Sequence, residues 1–419
     1  TPSLDEMVHV ASEMERRGME QPLLIGGATT SEMHTAVKIE PARKKPVVHV
    51  LDASRSVTVV GNLLSETDRS AFVEGTTSTY ASLRDRHARR HQKQTFLTLE
   101  QARANRLQLE FNASTVPPAA QTGIHHYDEV GVEELRPYID WTPFFQAWEL
   151  RGKYPALLEH PEKGEVARKL MADAQAMLNA LNDAGSLQFK GVSGLFPAYS
   201  DGDDIILRHS DGTAVLHTLR QQTEKTPGKP NRALSDFIAP EGGPSDHIGM
   251  FAVTTGHGVS ELVARYEADH DDYQAILLKS LADRLAEAFA EYVHEHVRRE
   301  VWGFEGQTRF SNTELIKEEY DGIRPAPGYP AQPDHTEKRT IWKVLGAEEA
   351  TGITLTEHLA MAPAASVCGL IFAHSEAEYF NLGDVSRDQI QSYAKRKAMP
   401  VNEVERWMAP RLAYDPEKE

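Results

Sequence analysis

Tyr273-Gln-Ala-Ile-Leu-Leu-Lys-Ser-Leu-Ala-Asp-Arg-Leu-Ala-Glu-Ala-Phe-Ala-Glu-Tyr-Val293 carries a large apolar side chain at every fourth position: Tyr273, Leu277, Leu281, Leu285, Phe289 and Val293. The surrounding run, 260–301, contains neither Gly nor Pro. Residues four apart share a helix face, so the spacing predicts a long helix whose stripe faces a core rather than a cofactor. Upstream, Val166, Leu170, Ala174, Met177 and Leu181 repeat the pattern, and Gly185 ends that helix. Between the two helices, 205–209 and 213–219 flank Ser210-Asp-Gly212, a hairpin signal, and 248–254 reads as a further strand. Downstream come a helix at 336–345, an apolar strand around Cys368 and a helix at 386–397. Strands and helices in clusters, without strict alternation, imply an α+β domain over 124–419 with a mainly antiparallel sheet and long helices.

The first 65 residues have a different rhythm. A helix at 5–17, a strand at 22–25, the turn Gly26-Gly-Ala-Thr-Thr30, a short helix at 31–37, a strand at 47–51 and a helix opened by Ala53-Ser-Arg-Ser56 make βα units and a parallel sheet. Two strands are too few for a sheet covered on both faces. The segment is therefore expected to be a truncated α/β (Rossmann/flavodoxin-like) piece, and Thr1 to lie inside a domain. Ser3 and Glu6 read as a capping box for the first helix. Residues 66–123 read as a charged helix and a linker with Pro117-Pro118. Arg84, Arg86, Arg89, Arg90 and Lys93 form a basic run suited to a solvated face or to an acidic partner.

The chain has 419 residues and a net charge of -17, which argues against nucleic acid and anionic membranes and suits cationic ligands. One cysteine, Cys368, excludes an internal disulfide and a Cys-rich metal site, and it reads as inert packing. No apolar run approaches about 18 residues, so a cytoplasmic protein is expected.

Three stretches could carry chemistry. In Ile25-Gly-Gly-Ala-Thr-Thr-Ser31, glycines after a strand and hydroxyls at a helix start can hold polar groups, though a plain turn reads the same way. The dinucleotide spacing is absent. The second βα turn, Asp52-Ala-Ser-Arg55, falls at the same sheet edge, where ligands gather. In Arg324-Pro-Ala-Pro-Gly-Tyr-Pro330, prolines stiffen a loop that presents a guanidinium, a bare backbone at Gly328 and a ring at Tyr329. That suits an amino-acid-bearing nucleoside, or a stiff connection with Arg324 in a salt bridge. In Tyr138-Ile-Asp-Trp-Thr-Pro-Phe-Phe145, Asp140 among rings suits a cationic ligand or a helix cap. Glu287 and Glu318 are acids within predicted helices, by default surface groups. His87 and His91 have metal-ligand spacing but no third ligand, and His294-Glu-His296 has the wrong spacing for a shared helix face.

These stretches, together with Leu-Arg-Gln-Gln-Thr-Glu-Lys (219–225), His-Asp-Asp-Tyr (270–273) and Val-Glu-Arg-Trp (404–407), resemble cobalamin-dependent methionine synthase in the family's order across essentially the whole chain. The resemblance implies that 1–65 is the end of a cobalamin-binding domain and that 124–419 is an S-adenosylmethionine-binding activation domain. It implies support for reductive methylation of cob(II)alamin to methylcobalamin, with a flavodoxin-like electron donor. The family's Arg-x-x-x-Gly-Tyr motif falls on Arg324, Gly328 and Tyr329. Further S-adenosylmethionine contacts fall on Asp140, Tyr379 and Phe380, with Glu287 and Glu318 as acids of the cleft. Thr1 and Ala53 match positions touching cobalamin, and Gly26 and Gly27 match the pocket for its nucleotide tail.

The departures from the family matter as well. The Asp-x-His-x-x-Gly motif that supplies a lower axial ligand to cobalt has no match, since Asp85-x-His87-x-x-Arg90 fails at the glycine. The helical cap, the homocysteine domain with its zinc and the methyltetrahydrofolate domain are not represented. The chain is thus expected to be the reactivation part of a methyltransferase that works with its missing N-terminal domains. Two alternatives stay open: a separately encoded reactivation subunit, and an ordinary methyltransferase, which would need a glycine-rich first loop not found here.

Overall fold

The computed structural model describes residues 2–26, 30–50, 53–65, 67–92, 95–112, 114–306 and 309–416. The chain divides into two units at 95/96, where the sequence suggested boundaries at 65 and 123.

In the first unit, α1 (Pro2–Arg16), β1 (Leu23–Ile25), β2 (Val47–His49), α2 (Ala53–Leu64) and α3 (Arg69–Gln92) follow in order. Ser3 lies within α1 rather than at its cap. β1 and β2 pair in parallel, Leu23 opposite Val47, and among the described residues Ala11, Ile25, Ile39 and Val47 form a small buried cluster. The charged helix α3 belongs to this unit. Tyr80, only 2% exposed, accepts the His49 N–H at 2.7 Å on its hydroxyl. Arg84 donates to the Ala36 carbonyl at 3.0 Å and pairs with Glu40, so it is an internal partner and not part of a free basic face.

The second unit begins earlier than its strands. Residues 96–122 are not a linker: the Leu97 N–H donates to the Gln222 carbonyl at 2.8 Å and the Leu99 N–H to Asp388 at 2.6 Å. Arg103 pairs with the buried Asp203 at 2.7 Å. Backbone groups that would otherwise face water find partners more than a hundred residues away.

The sheet uses β3 (Gly123–His126), β4 (Gln188–Asp201), β5 (Asp204–His209), β6 (Gly212–His217), β7 (Asp246–His257) and β10 (Ser366–Ile371), while β8 (Thr354–Leu355) and β9 (Met361–Ala362) pair separately. Its order is β10-β7-β4-β5-β6, with β3 on β4, and every pairing is antiparallel. The helices that matter below are α4 (Trp141–Ala147), α5 (Gly164–Ala184), α6 (Asp272–His296), α7 (Asn312–Ile316), α8 (Lys338–Leu345) and α9 (Arg387–Lys397).

Alternation along the strands builds two cores. On β7, Phe251 and Val253 join α5 and α6, whereas Met250 and Ala252 join Ile341, Trp342 and Leu345 of α8. Leu277, Leu281, Leu285, Phe289 and Val293 are fully buried, as the stripe predicts. Gly191 lets α6 lie close on the sheet, since a Cβ there would stand 2.8 Å from the Phe289 ring. The stripes end in exposed residues: Val166 is 57% exposed, and Tyr273 instead reaches Asp173 of α5 with its hydroxyl at 2.7 Å. Gly185 closes α5 in the left-handed conformation, φ 54°.

Candidate functional site

The outer edge of β10 organises the site. Ile323 and Phe372 exchange backbone hydrogen bonds at 3.0 and 2.9 Å, and the Leu370 N–H donates to the Pro325 carbonyl at 2.8 Å. The segment carrying Arg324 is thereby laid along the sheet edge. Beyond it the chain turns, with the Tyr329 N–H donating to the Ala326 carbonyl at 3.1 Å and the Gly328 N–H to the Gln332 carbonyl at 2.7 Å. Pro325, Pro327 and Pro330 have no N–H to satisfy here. Gly328 is required twice over: its φ is 98°, and a Cβ would lie 2.2 Å from the His335 ring.

Between this loop, α6 and the segment 379–381 lies a cavity of about 480 Å³. Glu287, Glu318, Arg324, Tyr329, Tyr379 and Phe380 all line it, and Phe251 and Cys368 border it from the sheet. Glu287 projects from the half-buried edge of α6. Glu318 follows α7, a helix that ends sooner than expected and is capped by Ser311 and Glu314, and it takes φ 57°. The Tyr379 hydroxyl accepts the Arg324 N–H at 3.0 Å, and Phe380 packs toward Phe237, ring centroids 6.4 Å apart.

Arg324 Nη2 donates to Glu291 Oε2 at 2.6 Å. Burial is the largest single influence and opposes its charge, but Glu291 together with the Tyr320 and Tyr379 hydroxyls outweighs it, and the guanidinium stays protonated well above the usual range. Burial raises the Glu318 carboxyl, an effect that Arg324 opposes and Glu291 reinforces. Burial also raises the hydroxyls of Tyr329 and Tyr379, which therefore remain neutral donors. The Cys368 thiol is pushed up to about 11 by burial, and it packs without reacting.

Asp140 is not among the residues lining the cavity. Its Oδ1 accepts the Thr142 N–H at 2.9 Å and caps α4, the alternative left open by the sequence. The neighbouring Ile139 carbonyl accepts from Asn312 at 3.0 Å, at the start of the stretch that leads to Glu318.

Sequence reading missed Glu291, His294 and Arg298. They are 6, 0 and 0% exposed. Arg298 Nη1 donates to His294 Nδ1 at 2.6 Å and lies 3.5 Å from Glu291, its Nε pairs with Glu305, and its guanidinium stacks 3.8 Å from the centroid of the Tyr320 ring. Burial, with Arg298 and Arg324 nearby, holds His294 neutral. The signal was available: Glu287, Glu291, His294 and Arg298 follow helical spacing as a polar stripe. His296 serves the Tyr127 hydroxyl at 3.0 Å. The side chains of His87 and His91 lie outside the described residues. Among the described residues no cluster of three or more His, Cys, Asp or Glu is placed to hold a metal ion, and no helix is long and apolar enough to cross a membrane.

A second cavity, about 780 Å³, lies at the carboxyl ends of β1 and β2, bounded by Thr30, Ser31, His49 and Val50 and by Phe72 and Tyr80 of α3. Gly26 is beside it in the chain, and a Cβ there would come within 3.2 Å of the Val50 carbonyl. Thr1 and Gly27 lie outside the described residues; Ala53 opens α2, its side chain also outside them.

Fold and cavity together define an α+β domain with a cavity lined by acids, an arginine and aromatic rings at the edge of an antiparallel sheet. Residues 131–398 match the family described as vitamin B12 dependent methionine synthase, activation domain, and the chain belongs to that family. It is also similar, at 50% identity and a TM-score of 0.74, to a solved structure described as the MetH reactivation domain bound to AdoHcy. That likeness covers 76% of this chain and 99% of the other. The chain is thus a C-terminal portion of the methionine synthase kind.

Proposed function

We propose that the cavity beside β10 binds S-adenosylmethionine and that the chain uses it for reductive methylation of cobalamin, as the reactivation part of a cytoplasmic methyltransferase. One observation carries this reading: Glu287, Glu318, Arg324, Tyr329, Tyr379 and Phe380, scattered through the sequence, converge on one cavity. The ligand carries a carboxylate, an ammonium, a sulfonium and a purine. The arm of Arg324 not held by Glu291 suits the carboxylate, for which a planar fork is well matched. Glu287 and Glu318 suit the ammonium and sulfonium, and the aromatic rings suit the purine and the positive sulfur. Asp140, with one oxygen committed to its cap, would add a further acid from the Ile139 side. The protein's contribution to methyl transfer is then positioning, which converts an encounter into a step within one complex.

The first unit's cavity fits part of a large polar cofactor: it is roomy, has hydroxyls at Thr30 and Ser31, and sits where ligands collect on parallel sheets. The family resemblance assigns Gly26, Gly27, Ala53 and Thr1 to cobalamin contact. When bound, cobalamin supplies the cobalt centre that receives the methyl group. A flavodoxin-like protein would supply the electron, and the enzyme's N-terminal domains, with their zinc, would carry the synthase chemistry.

Isothermal titration of the full chain with S-adenosylmethionine tests the reading. Saturable one-to-one binding is expected, weakened about a hundredfold in Arg324→Ala, the size of effect that follows from removing a charge-assisted hydrogen bond in a buried site. Absent binding in the wild type overturns it.

A further inference from the structure

We infer that Glu291 is a positioning residue for Arg324: it holds one arm of the guanidinium so that the other is presented to a ligand carboxylate. The inference rests on the reading of this cavity as an S-adenosylmethionine site and names what makes that site rigid.

Glu291 lies one helical turn beyond Glu287 on α6, but it is 6% exposed and does not line the cavity. Its Oε2 accepts Arg324 Nη2 at 2.6 Å, and its Oε1 faces Arg298 Nη1 at 3.5 Å. A carboxylate held between two guanidiniums cannot swing to follow one of them. Arg298 is itself fixed, because His294 Nδ1 accepts from it at 2.6 Å, Glu305 takes its Nε and the Tyr320 ring lies against its face at 3.8 Å. His294 is completely buried and accepts from Arg298, so it serves as a neutral acceptor for that cation. At its other end, Arg324 is tied down by its backbone: the N–H donates to Tyr379, and its neighbours Ile323 and Pro325 bond to Phe372 and to Leu370 of β10.

Arginine has five N–H donors in a flat fork, and Glu291, even with the Tyr320 hydroxyl beside the guanidinium, does not exhaust them. A flexible side chain loses rotamer freedom when it grips a ligand, whereas one already fixed loses little. The buried seam Glu291–Arg298–His294 thus completes that loss during folding. The opposite possibility, that Glu291 competes with the ligand for Arg324, makes a different prediction.

The test compares two ligands that differ only in the carboxylate, S-adenosylmethionine and its decarboxylated form, titrated into the full chain. In Glu291→Gln, affinity for S-adenosylmethionine is expected to fall about tenfold while the decarboxylated ligand changes less than about twofold. Glu291→Asp, which keeps the charge, should recover part of the loss. If Glu291→Gln proves unstable by thermal melting, the same pair of ligands on Glu291→Asp carries the test through a smaller selective loss. Equal losses for both ligands would mean that Glu291 only supports the fold, and tighter S-adenosylmethionine binding would mean competition; either result overturns the inference. Failure of the underlying site reading is separate, since wild-type protein would then bind S-adenosylmethionine no better than its decarboxylated form.

Discussion

The two units of this chain each place a cavity at the edge of a sheet, but with very different amounts of structure behind it. The first relies on two short parallel strands, a small cluster of buried side chains around Ala11, Ile25, Ile39 and Val47 among the described residues, and a few polar ties from α3, such as Tyr80 to His49. The second sets its loop on a six-stranded antiparallel sheet backed by two large cores and by a buried seam of charged groups. A ligand site needs its binding residues held in place, and the comparison shows where that rigidity originates. In the second unit it comes from α6 and β10. In the first, the small core leaves much less to resist opening.

The sharpest way to break this contrast is hydrogen exchange on the full chain. Amides of β1 and β2 should open about 4 kcal/mol more easily than those of β4 and β7, roughly a thousandfold difference in protection. Equal protection would erase the distinction between the units.

A second experiment acts on the larger unit alone. Gly328→Ala forces a Cβ against His335 at a positive φ, so we expect a loss of about 2–4 kcal/mol in that unit's stability. Binding of S-adenosylmethionine should fall with it, while exchange in the first unit stays unchanged. Unaltered melting and binding would show that the turn relaxes freely.

The smallest effect separates two roles of Asp140. Asn caps helices about as well as Asp, so Asp140→Asn should leave stability within a few tenths of a kcal/mol, whereas Asp140→Ala should cost about 1 kcal/mol. If Asp140 also meets the ligand's positive charge, the Asn variant should bind S-adenosylmethionine about fivefold more weakly. Unchanged affinity would confine Asp140 to its cap at Thr142.

What the sequence disclosed follows from the range of the interactions involved. The stripe on α6, the hairpin at Ser210-Asp-Gly212 and the helix stop at Gly185 are local patterns, and local physics sets them. The Arg324–Tyr329 loop was legible because its prolines and glycine mark backbone conformation directly. The true start of the second unit was not, because Leu99 and Arg103 are fixed by Asp388 and Asp203, and nothing near them in sequence announces those partners. Tyr80 and Arg84 hid the role of α3 in the same way, being isolated anchors on an otherwise polar helix. Glu291, His294 and Arg298 were hidden differently: charged residues on a helix ordinarily read as solvated, and only their shared face with Glu287 betrays the seam. Asp140 was ambiguous in sequence because capping a helix and binding a cation ask for the same side chain.

The central claim, that the β10-edge cavity grips S-adenosylmethionine through Arg324, is tested most directly by a crystal structure of the full chain with S-adenosylhomocysteine. The account predicts the ligand carboxylate within hydrogen-bonding distance of the arm of Arg324 that Glu291 leaves open, with its purine against the Tyr329, Tyr379 or Phe380 rings. A nucleoside bound elsewhere, with that arm of Arg324 making no bond to it, would contradict it.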